Sequence, residues 1–72
     1  MQKIKWVSFP AGSETSSISV GFRENGMLVS RIEKEKDGAK TWYVAYSPTG
    51  VFVIKVNEDF VIDIAYFPEE TK

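Results

Sequence analysis

The chain has 72 residues, 43% hydrophobic and 14% aromatic, with nine basic and ten acidic side chains for a formal net charge of −1. That is one small domain with a thin core, in which large aromatic side chains must supply much of the burial. The absence of cysteine and histidine excludes disulfides, thiolate nucleophiles, zinc–sulfur sites, and the commonest general base and metal ligand.

The near-balanced charge argues against a strong electrostatic hold on nucleic acid, which normally needs a basic domain. No apolar run approaches the roughly 18 residues that a membrane-crossing helix needs. Residues 1–6 (MQKIKW) lack the apolar stretch and small-residue cleavage site of a signal peptide. A complete, free-standing cytoplasmic chain is the expectation, with no membrane and no cofactor.

Helix signals are missing. No apolar period of i, i+3, i+4 is sustained, and β-branched and aromatic residues dominate the apolar stretches. Turn residues recur roughly every 8–12 positions between runs of period-two alternation, which reads as all-β. Strands are predicted at 3–9, 17–23, 27–35, 40–46, 51–56 and 60–67, with a flexible loop at 10–17 and a polar tail at 68–72. The expected fold is a six-stranded antiparallel meander forming a small barrel or strongly curved sheet. Whether the first strand pairs with the second or closes onto the sixth is left open.

Turn chemistry sets the expected register, and register sets the faces. Glu24-Asn25-Gly26 is read as a three-residue loop, placing Phe22 opposite Leu28 and Ile18 opposite Ile32. A two-residue Asn25-Gly26 turn would instead pair Ile18 with Glu33, bringing charge onto the core face. Asp37-Gly38 is read as a two-residue turn, pairing Arg31 with Val44 and Ile32 with Tyr43. The loop 47–50 sets Tyr46 against Val51, Ala45 against Phe52 and Val44 against Val53. The loop 57–59 sets Val56 against Phe60 and Ile54 against Ile62. One face then collects the expected core: Ile18, Val20, Phe22, Leu28, Ile32, Tyr43, Ala45, Phe52, Ile54, Val56, Phe60, Ile62, Ile64 and Tyr66.

The opposite face is the informative one. Trp42, Val44, Tyr46, Val29, Val51 and Val53 are expected to form an apolar patch flanked by Arg31, Glu33, Lys55 and Asp63. The charges read as cross-strand pairing rather than as a catalytic set, and so short a chain has little material for a water-excluding pocket. Asn57-Glu58-Asp59 is a turn, far shorter than a calcium-binding loop. The loop 10–17 lacks the glycine spacing and lysine of a phosphate-binding loop. No enzyme is expected. Trp, Tyr and Arg around an apolar centre describe a protein–protein contact surface. The expected function is a non-enzymatic binding module that forms a homodimer, or regulates or inhibits a larger protein. The alternative is a single-stranded nucleic-acid binder that stacks bases on Trp42 and Tyr46 beside Arg31 and Lys55, although Glu33 and Asp63 would repel phosphates.

Overall fold

The computed structural model describes residues 3–68, so the predicted tail beyond Pro68 and the first two residues of the N-terminal segment lie outside it. Within that range the chain is mostly strand: β1 (Ile4–Ala11), β2 (Glu14–Ser19), β3 (Arg23–Glu24), β4 (Met27–Leu28), β5 (Arg31–Asp37), β6 (Lys40–Tyr46), β7 (Phe52–Asn57) and β8 (Asp63–Tyr66). One 3-10 turn, Glu58–Phe60, joins β7 to β8. All pairings are antiparallel. They build two three-stranded sheets, β2-β1-β8 and β5-β6-β7, and a small ribbon, β3-β4. The described strands do not close into a barrel, and the predicted six-strand meander survives only as β5-β6-β7.

β1 is the centre of the first sheet and pairs on both sides. Val7 lies opposite Ile18 of β2 and Ile64 of β8. Residues predicted as a flexible loop at 10–17 instead form the near end of this hairpin, with Ala11 opposite Glu14. Gly12, at φ 65°, supplies the left-handed backbone its turn needs. Serine and threonine sit comfortably on a solvated sheet face, so a composition that suggests a loop is compatible with a strand.

Between β2 and β3 the chain breaks direction at Gly21, φ 93°. The β3-β4 turn is then the two-residue Asn25-Gly26 form, with Arg23 opposite Leu28 and Glu24 opposite Met27. Both turn residues have positive φ, 54° and 78°, as a type I′ turn requires. The expected three-residue loop is therefore corrected. Its rationale fails because β2 and β3 are separate strands: Ile18 pairs with Val7, and Ile32 with Ala45.

The 57–59 segment is not a hairpin loop either. Asn57 Oδ1 accepts the Asp59 N–H at 2.8 Å, capping the 3-10 turn. The chain then crosses to the other sheet, where β8 pairs with β1. Lys34 of β5 meets Glu58 of the turn at 3.4 Å. Both side chains are exposed, so the pair contributes little to stability.

The core lies between the two sheets. Ile4, Val7 and Ile18 come from the first sheet, Ile32, Tyr43, Ala45, Val53 and Val56 from the second, and Val29 from the link after β4. Five predicted core residues, Ile18, Ile32, Tyr43, Ala45 and Val56, are buried there. Phe22, Leu28, Phe52, Phe60, Ile62 and Tyr66 are exposed instead. They belong to segments whose expected pairings do not form, or, for Phe52, to a bulge described below.

Candidate protein-contact face

The outward side of β5-β6-β7 carries the predicted site. The β5-β6 hairpin turns at Gly38-Ala39, with Asp37 opposite Lys40 and Arg31 opposite Tyr46 rather than Val44. The same kind of slip occurs between β6 and β7, where Val44 faces Lys55 rather than Val53. Both slips are even, so side chains in the regular stretches keep their expected faces. Three cross-strand rows result: Arg31–Tyr46–Phe52, Glu33–Val44–Lys55 and Glu35–Trp42–Asn57.

An irregularity between Ala45 and Tyr46 changes the phase of β7. Ala45 pairs with Ile54, but Tyr46 pairs with Phe52, so Val53 is the extra residue of a β-bulge. Val53 turns into the core at 4% exposure, while Phe52 turns outward at 51%. This single bulge reverses both expected placements. Val53 and Val29 are core residues, not members of the contact face. Val51 stays exposed, in the turn before β7, where its N–H donates to Ser47 Oγ at 3.1 Å. Asp63 is removed from the face altogether. It lies on β8 opposite Ser8, whose hydroxyl donates to the Asp63 carbonyl at 3.4 Å.

The remaining members converge. Trp42, Val44, Tyr46, Phe52, Glu35 and Lys55 line an open cleft of about 300 Å³. Val44 is its floor: it is 5% exposed, yet stands outside the core cluster between the sheets. Each aromatic ring on β6 carries a cation. Arg31 Cζ lies 4.4 Å from the Tyr46 ring centre, and Lys55 Nζ 4.3 Å from that of Trp42. Such contacts contribute about 0.5–1 kcal/mol at exposed sites and more when water is excluded. Arg31 Nε also meets Glu33 Oε2 at 3.1 Å. The Tyr46 hydroxyl donates to the Glu35 carboxylate. That bond, aided by partial desolvation, raises the Tyr46 pKa above the ordinary phenol value.

Two members of the face were missed in the sequence. Phe52 could be found only through the bulge. Glu35 follows Arg31 and Glu33 at period two, and its alternation alone placed it on the outer face. Elsewhere, no three carboxylates gather as a metal site among the described residues, and no helix there is long and apolar enough to cross a membrane. No family model, curated protein or solved structure matches this chain.

Proposed function

We propose that the outer face of β5-β6-β7 is a protein-contact surface and that the chain is a non-enzymatic binding module, acting on a second copy of itself or on a larger protein that it regulates or inhibits. The observation that carries this reading is the apolar spine Trp42–Val44–Tyr46 with Phe52 beside it, bordered by charges of both signs. Trp, Tyr and Arg dominate the energetics of protein contacts, and a charged rim around them supplies specificity. Arg31 is paired with Glu33, and Arg31 and Lys55 each rest over an aromatic ring, which lowers the cost of removing them from water. The lack of cysteine fits a reducing compartment, so a cytoplasmic site of action is part of this reading.

A single-stranded nucleic acid is the second reading, favoured by two cations beside two aromatic rings. Against it, each ring already has a cation over one face, and Glu33, Glu35 and Asp37 stand among the site's cations, where they repel phosphates. Site-specific photo-crosslinking separates the two. A photoreactive phenylalanine analogue at Phe52 is expected to yield protein adducts in cells, and one at Phe22, which is more exposed, far fewer. Nucleic-acid adducts from position 52, or tryptophan quenching by oligonucleotides that weakens steeply with salt, would favour the second reading. No adduct at all from position 52 overturns the contact surface.

A further inference from the structure

Resting on that reading, we infer that the partner seated on this face is a second copy of the chain, related by a two-fold axis running along β6. The argument is the order of charges across the three rows. A face-to-face pair of identical sheets has two simple ways to align its strands. With the axis along β6, each row lies over its own counterpart with left and right exchanged. Glu33 then lies over Lys55 of the other copy, and Lys55 over its Glu33, on either side of Val44. Arg31 comes over the exposed ring of Phe52, a cation on a π face. Glu35 comes over Asn57, whose amide can donate to it. Trp42, Val44 and Tyr46 lie along the axis, each over the row of its own counterpart. All three rows are self-complementary, allowing for the roughly 30° crossing of packed twisted sheets.

With the axis across the strands, the pattern fails at its centre. Arg31 would meet Glu35, but Glu33 would meet Glu33 and Lys55 would meet Lys55 beside the middle residue Val44. Like charges facing each other in a closing interface are strongly unfavourable. The layout thus selects one axis and requires the partner to carry the same face, as in an isologous dimer. The acidic and basic side chains used here also sum to zero: Arg31 and Lys55 against Glu33 and Glu35. A partner of strong single charge gains nothing from such a surface.

The test is a charge exchange read by sedimentation equilibrium. Wild-type protein is expected to be a dimer. Glu33→Lys and Lys55→Glu each create two repulsive pairs and are expected to weaken self-association by on the order of tenfold or more. Mixed in equal amounts, the two variants form a heterodimer in which both pairs are attractive, restoring association to near the wild-type level. Circular dichroism on each variant alone checks that it folds, and recovery in the mixture checks it again. Three results overturn the inference: a wild-type monomer at high concentration, single variants that dimerise as wild type does, or a mixture that does not recover. If a monomer still gives Phe52 adducts with another protein, the contact surface stands and only the self-pairing falls.

Discussion

Both sheets place a tryptophan on the outward face of their central strand, and the two surroundings differ. On β1, Trp6 sits between Ser19 and Ala65, and the next outward residue, Ser8, between Ser17 and Asp63. Its neighbours are small or polar, and Ser8, Ser17 and Ser19 line an open groove with it. On β6, Trp42 is followed by Val44 and Tyr46, with Phe52 beside them and long charged side chains over the rings. The first arrangement is a serine-rich sheet face that holds one large ring. The second concentrates apolar area and specific charge in one place. An outward tryptophan is therefore weak evidence of an interface by itself. The row of residues in which it stands decides its meaning.

The largest expected effect tests the bulge that builds this difference. Val53→Asp puts a carboxylate between the sheets at a 4% exposed position. A domain of this size has roughly 3–5 kcal/mol to lose, and an unpaired buried charge costs about that or more. Val53→Asp is expected to leave the chain unfolded by circular dichroism. Phe52→Asp, one residue earlier, is expected to melt within about 1 kcal/mol of wild type while weakening association. The opposite order of stabilities would return Val53 to the outer face and remove the bulge.

That pair also marks where sequence reading reaches its limit. Alternation was informative at the start of β5, where Arg31-Ile32-Glu33 takes charged and apolar residues in turn, and the faces of the uniformly apolar Trp42–Tyr46 run followed from pairing it with that stretch. The turn residues were misassigned at Asp37-Gly38, yet the error was even and the faces of Trp42, Val44, Tyr46, Arg31 and Lys55 stayed as expected. In Val51-Phe52-Val53-Ile54 every residue is apolar, so period two carries no signal and a bulge leaves no trace. Val29 was misplaced for a different reason: it lies in the link between β4 and β5, outside any strand, where alternation has no meaning. The central position of β1 was illegible because its two partners are set by packing between distant segments, not by the turns that punctuate the chain.

A second substitution pair acts on the two tryptophans directly. Trp42→Ala removes the largest side chain of the proposed contact, and hot-spot truncations of this kind cost about 2 kcal/mol or more, roughly thirtyfold in affinity. Trp6→Ala is expected to leave self-association within about threefold of wild type, because its groove takes no part in the contact. Sedimentation of both variants under the same conditions makes the measurement. Equal losses would mean that the two faces act alike and that the distinction between them is wrong.

The smallest effect concerns two tyrosines on opposite faces of one strand. Tyr43 is buried toward the core, and burial is the main cause that raises its pKa, with nearby Lys34 pulling the other way. For Tyr46 the main cause is the hydrogen bond to Glu35, which holds the proton on the phenol. In both, the folded state binds the proton more tightly than the unfolded chain, whose phenols titrate at about pH 10. The resulting stabilisation is complete below about pH 10 and is lost as pH rises through the raised folded-state values. Tyr46→Phe is expected to make the alkaline loss of stability shallower and to remove one late-titrating phenol from the ultraviolet absorbance curve. Self-association adds a further distinction. Covering the outer face by a second copy desolvates Tyr46 and pushes its titration higher as protein concentration rises, whereas Tyr43, already enclosed within one chain, does not move. A Tyr46 titration independent of concentration, under conditions where the dimer is measured by sedimentation, would place the dimer contact somewhere other than this face.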